Sequence, residues 1–332
     1  GHWWGNECCD WPPLMEFLRR HERPQPSAVR SVDFVTASPS VSARRDWATV
    51  ETQLKPFNFS EVHLTKDPRR GEIQGTTVNL GRLALNLGVF GSSVDFKVTL
   101  DGQALTVPSA EVKVKDAESR VWFRREPNGW RRIEPPPADL KHPARQGPFK
   151  EAFRNRMLFV YGTTGTAEET RANLARARFD AERFYYQGNG SVDVISDAAF
   201  DSAAEPDRNV ILYGHSESHS AWKAMLGSSP VSLSRGKLTI GERTIPGEGL
   251  GCLFVRPRPG SAVASVGVVG GTGAAGTRML DGLPYFSSGV AYPDLIVVRD
   301  LPTSSALDSV VGVGYFGEDW SVERGEFAWR EP

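Results

Sequence analysis

Apolar and polar positions change their period twice along this chain, dividing it into three segments. In residues 1–24, Leu14, Phe17 and Leu18 fall at i, i+3 and i+4, with Glu16, Arg19 and Arg20 on the other side. That spacing predicts a short amphipathic helix. Pro12 and Pro13 suit its first turn, where N–H groups have no intrahelical acceptor, and Asp10 is placed to cap it. A helix with one apolar stripe needs a surface to pack against.

Period 2 takes over in residues 25–125. Val94, Phe96, Val98 and Leu100 alternate with polar residues and run into Asp101-Gly102, a hairpin signal, with Leu105 and Val107 on the return strand. The alternation recurs around Val50, Val62, Val112 and Val121. About seven short strands spaced roughly ten residues apart predict an all-β immunoglobulin-like sandwich. Residues 75–87 fit either a helix or a strand pair. Glu134-Pro135-Pro136-Pro137 marks residues 126–149 as a Pro-rich linker.

In residues 150–332 apolar runs return at 157–161, 192–195, 210–213, 252–255, 264–269 and 295–298, separated by helix-length stretches. Thr166-Ala167-Glu168-Glu169 matches a capping box, so a helix should open there with Leu174, Ala177, Ala181, Phe184 and Tyr185 inward. Helices also fit at 219–226 and 274–280. The pattern predicts an open, largely parallel α/β sheet of Rossmann or flavodoxin type. Its strand order should set Gly162, Gly214 and Gly271 at the carboxyl ends of their strands, where open sheets collect ligands.

Composition narrows the function classes. With 39 basic and 40 acidic residues the net charge is −1, so no bulk field draws nucleic acid or an anionic membrane. No apolar run approaches the roughly 18 residues of a membrane span. Cys8 and Cys9 are adjacent and Cys252 is remote, which is neither a disulfide framework nor zinc-site spacing. Small buried thiols are the simpler reading, with a bridge from Cys8 or Cys9 to Cys252 left open.

Four motifs bear on chemistry. Gly214-His215-Ser216-Glu217-Ser218 follows a strand and differs from a G-x-S-x-G nucleophile elbow in its last residue. Ser218 in place of Gly crowds the turn, and no His lies downstream beyond His219, so a binding loop or helix start is favoured over Ser216 as nucleophile. His215 and His219, four apart, lack a third metal ligand and read as solvated residues at a helix start; no metal site is expected. Gly271-Thr272-Gly273-Ala274-Ala275-Gly276 matches G-x-G-x-x-G after a strand, so Gly271, Gly273 and Gly276 are candidates for anion binding, with Asp294 or Asp300 as a ribose acid. Too little chain follows to build a second dinucleotide half-site, and a structural turn is preferred; no cofactor is expected. Gly162-Thr163-Thr164-Gly165-Thr166 lacks the Gly-Lys of a phosphate loop.

The remaining motif is Gly1-His2-Trp3-Trp4-Gly5-Asn6-Glu7-Cys8, continued by Asp10-Trp11-Pro12-Pro13 and the amphipathic helix. It resembles the catalytic-His loop and last helix of bacterial multidomain prolyl-oligopeptidase-like α/β-hydrolases. The resemblance extends to residues 209–222, 252–259 and 264–300, so it covers most of the chain, although only the His2 loop concerns catalysis. It implies that residues 1–24 end an α/β-hydrolase domain and that His2 is the general base of a Ser, acid, His triad. The nucleophile and triad acid are then expected upstream of Gly1, with Asn6, Glu7 and Asp10 positioning the loop. The implied substrate is a peptide or a carboxylic ester reached through that upstream domain, and the implied location is extracytoplasmic. The alternative is a non-catalytic accessory module whose α/β domain binds a small ligand or a partner.

Overall fold

A computed structural model describes residues 10–90, 95–112, 119–289, 292–300 and 309–330. Helix α1 (Pro12–Arg20) forms as its spacing predicts, with Pro in the first turn, but it begins after Trp11 rather than on an Asp10 cap. None of its residues is buried, and Trp11, Phe17 and Leu18 are more than half exposed.

Ten strands follow among the described residues: β1 (Ser31–Thr36), β2 (Arg44–Arg45), β3 (Ala48–Gln53), β4 (Ser60–Asp67), β5 (Glu72–Val78), β6 (Leu80–Asn86), β7 (Phe96–Leu100), β8 (Gln103–Val107), β9 (Arg120–Glu126) and β10 (Gly129–Ile133). They make two five-stranded sheets, ordered β1-β4-β5-β7-β8 and β10-β9-β6-β3-β2. All pairings are antiparallel except β5 with β7. Alternation explains the packing: Val62 and Leu64 point inward from one sheet, Leu83, Leu85 and Phe123 from the other, into one core. The ambiguous stretch at 75–87 is two strands, one in each sheet, joined at Asn79 with φ +56°.

One boundary moves. The sandwich runs past 125, because β10 pairs with β9. The Pro-rich stretch is not a free tether. Lys141 Nζ lies 2.6 Å from Asp294, His142 bonds Ala262 O, and the buried Arg145 donates to Ser261 O and Ala138 O. Arg82, fully buried on β6, reaches across to Glu318 and to Lys141 O, and Arg124 meets the same Glu318 at 2.7 Å.

The C-terminal unit holds β11 (Leu158–Tyr161), α2 (Ala167–Gly188), β12 (Asp193–Ser196), β13 (Val210–Tyr213), α3 (Trp222–Leu226), β14 (Val231–Ser234), β15 (Lys237–Ile240), β16 (Arg243–Pro246), β17 (Leu250–Pro257), β18 (Ser265–Gly271), α4 (Ala274–Met279), β19 (Leu295–Arg299), β20 (Val310–Tyr315) and β21 (Glu326–Trp329). Its main sheet is ordered β12-β11-β13-β18-β17-β19-β20-β21, with a separate β14-β15-β16 sheet. The expectation of a largely parallel sheet is corrected. Only β12, β11, β13 and β18 run parallel; from β17 onward every pairing is antiparallel. The runs at 252–255 and 264–269 are adjacent antiparallel strands joined without a crossover helix. An apolar run buried on both faces signals a strand but not its direction.

Candidate functional site

Three of the four parallel strands, β11, β13 and β18, end at one edge of the sheet, each at a glycine: Gly162, Gly214 and Gly271. The turns are too close for side chains. A Cβ on Gly162 would sit 2.1 Å from Ser218 O, and Gly214 has φ +133°. Between these turns and the start of α2 lies a cleft of about 190 Å³, lined by Glu169, Asn173, His215, Arg235, Glu248 and Gly273 among others.

Glu169 is its hub. Thr166 caps α2 through its hydroxyl, and Glu169 returns the bond by accepting from Thr166 N, completing the capping box. The same carboxylate takes two N–H groups of Arg235, at 3.0 and 2.9 Å, and faces His215 Nε2 at 3.0 Å. The Arg235 bonds, with those from Thr166 and His215, hold its pKa at about 2 against the effect of burial. His215 Nδ1 accepts from Glu217 N, so the proton belongs on Nε2, pointed at Glu169.

Beside this cluster, His219 Nε2 faces Val160 O at 3.1 Å and its Nδ1 lies 3.8 Å from Asp197. Burial pushes the His219 pKa down. Burial also works against the charge on Asp197, but bonds from Thr163 and from Ser220 N outweigh it and lower its pKa.

Ser216 shares this edge without the features of an activated nucleophile. It is half-buried, its N–H bonds Leu233 O, and it lacks the positive φ of a strained elbow. The ring nitrogens of His215 are engaged by Glu217 and Glu169, and those of His219 face Val160 and Asp197, so neither base is aimed at it. The reading of His215 and His219 as solvated is corrected: they are 4% and 2% exposed. The next helix, α3, begins only at Trp222. Among the described residues no cluster of His, Cys, Asp or Glu is arranged to hold a metal.

The glycine fingerprint is accounted for by packing. A Cβ on Gly276 would lie 2.1 Å from Leu250 O, and one on Gly271 2.5 Å from Thr277 N, so α4 is pressed onto β17 and β18. The helix has six residues, and three carboxylates, Glu168, Glu169 and Glu248, line the cleft beside it against the single Arg235, which Glu169 already holds, a balance unfavourable to an anion. Asp294 is at the opposite edge of the sheet from Gly271, buried against Lys141, while Asp300 is at the same edge with its N–H on Gly249 O. Cys252 is a buried free thiol whose pKa burial raises.

His2, Asn6, Glu7, Cys8 and Cys9 lie outside the described residues; Asp10 is described and exposed. Sequence reasoning missed Arg235 and the wider role of Glu169. The capping box pointed to Glu169, whereas Arg235 sits in the β14–β15 turn, 66 residues from its partner, with no local signal. No protein-family model matches this chain, and no curated protein matches it significantly.

Proposed function

We propose that this chain carries the base-bearing end of a serine hydrolase, a prolyl-oligopeptidase-like peptidase or carboxylic ester hydrolase, with His2 as general base. Helix α1 is then the last helix of its α/β-hydrolase domain. The sandwich and the C-terminal unit, read as a Rossmann-like quartet of parallel strands extended by an antiparallel half, are accessory domains. The observation that carries this reading is α1 itself: Trp11, Phe17 and Leu18 stay more than half exposed, although the Phe17 ring stacks on His21 at 4.0 Å. An exposed apolar stripe beside a His-bearing loop suits packing against a catalytic domain. In the mechanism the resemblance implies, His2 takes the serine proton as the oxygen attacks the acyl carbonyl, then returns it to the leaving group.

The test is His2→Ala in the polypeptide that contains the nucleophile. Turnover of an ester substrate should fall on the order of 10⁴-fold or more, with folding of both downstream units unchanged. Near wild-type turnover removes His2 from the mechanism. A second reading, a non-catalytic binding module, is favoured by the carboxyl-edge cleft, which has the position of a ligand site but no aimed nucleophile. Stoichiometric fluorophosphonate labelling at Ser216 in this chain would overturn both.

A further inference from the structure

A separate cavity of about 340 Å³ opens where the sandwich meets the C-terminal unit. That volume and position are typical of small-molecule sites. One wall is the loop after β3, where Phe57 has φ +60°, a left-handed conformation that bulky residues rarely adopt. The strained backbone sets the Phe57 ring 5.7 Å from Tyr315 of the other unit. Pro56, Pro148 and Phe316 extend the apolar lining.

Most of the charged groups left to a ligand are cationic, and the lining Thr52 Oγ1 and Gln146 Oε1 also have no hydrogen-bond partner among the described residues. Lys141 lines the cavity with its ammonium 2.6 Å from Asp294 and 4.9 Å from the Trp320 ring, which leaves N–H capacity over. Lys55, also lining, has no ion-pair partner among the described residues, and Arg324 reaches only Asp319, at 3.5 Å. The acids are mostly committed: Asp294 is 1% exposed and accepts from Lys141 and Phe316 N, and Glu318 is held by Arg82 and Arg124. Glu326 is the one lining carboxylate without an ion-pair partner among the described residues.

We propose that this cavity binds a small monocarboxylate with an aromatic or aliphatic body, its carboxylate on Lys141 and Lys55 and its body between Phe57 and Tyr315. Asp294 already balances the charge of Lys141, so Lys141 offers N–H groups and Lys55 the one net positive charge; the second charge of a phosphate would lack a counterion. The site stands independently of the hydrolase reading, because it uses none of the His2 loop.

Phenylpropionate and its neutral analogue phenylpropionamide, titrated calorimetrically into the full chain, test the assignment, with Trp fluorescence as a second signal. The acid should bind saturably and the amide at least tenfold more weakly. Lys141→Met leaves the Asp294 carboxylate unpaired and threatens folding, so the decision rests on Phe57→Gly and Lys55→Gln. Glycine accepts the φ of position 57, and that variant should fold and bind at least tenfold more weakly. Lys55→Gln should also weaken the acid and leave the amide unchanged. No saturation with acid on the order of ten millimolar, equal affinity for the amide, or unchanged binding in either variant overturns the proposal.

Discussion

The sandwich and the C-terminal unit each enclose one apolar core, but they differ in how charge enters it. In the sandwich, β4 alternates buried and outward residues along its length, whereas β3 and β6, in the sheet whose Arg82 and Arg124 meet Glu318 of the other unit, are buried almost throughout. Among the described residues the sandwich's buried charges are few: Glu51, Lys66 and the cross-unit Arg82. In the C-terminal unit β13 and β18 are buried throughout, and charged groups are threaded between helix and sheet. Asp180 on α2 accepts from Tyr213 of β13 and from Tyr285 and pairs with Arg176, which also reaches Asp281. A two-sided core has no wet face on which to leave a long polar side chain, so such residues must find partners inside. The sheet that carries β4 is therefore specified mainly by pattern, the C-terminal unit also by buried polar networks.

The difference is sharpest at Asp180. Asp180→Ala leaves Arg176, Tyr213 and Tyr285 without their common acceptor, and should cost about 3–5 kcal/mol in urea denaturation. A loss below about 1 kcal/mol would make the two units equivalent in this respect. A pH series probes the next contrast, at Glu151 in the 3-10 turn Phe149–Phe153. Burial raises its pKa from 4.5 to about 7, although Gln146 N and Gly147 N both donate to it. Because the folded pKa is the higher one, its contribution is full below 4.5 and is lost as pH rises toward 7. Glu151→Gln should remove that loss, flattening the denaturation midpoint between about pH 5 and about pH 8. A variant profile parallel to wild type contradicts the assignment. The smallest effect is expected at the surface, where Thr166→Ala removes one half of the capping box and should cost about 1 kcal/mol by the same measurement. No change would mean that Glu169 alone holds the start of α2.

What the sequence disclosed follows the same division. Period 2 around Val62 and Val98 marked the sandwich strands, because one wet face imposes polar residues at alternate positions. The run 210–213 marked a strand, and the glycine after it a carboxyl-edge turn. The directions of β17 and β19 were not legible, because residues buried on both faces carry no record of which neighbour runs which way. Nor was the fate of Lys141 and Arg145. In a Pro-rich stretch they look like solvated charges, and only the fold brings Asp294 and Ser261 to them. At the carboxyl edge, the glycines and the capping box were visible. The ion pair from Arg235 to Glu169 was not, since its partners are 66 residues apart.

The lacing of residues 134–148 has a consequence for reach. A loose stretch of this length would let the sandwich sweep a wide volume, and a cut within it would set the sandwich adrift. Anchored at Lys141, His142 and Arg145, the segment works as a bracket instead of a leash. Whatever grips the β1-β4-β5-β7-β8 sheet of the sandwich is held at a set distance and bearing from the carboxyl-edge cleft. A nick at Pro135-Pro136-Pro137 would sever the backbone yet leave Arg82 and Arg124 still gripping Glu318.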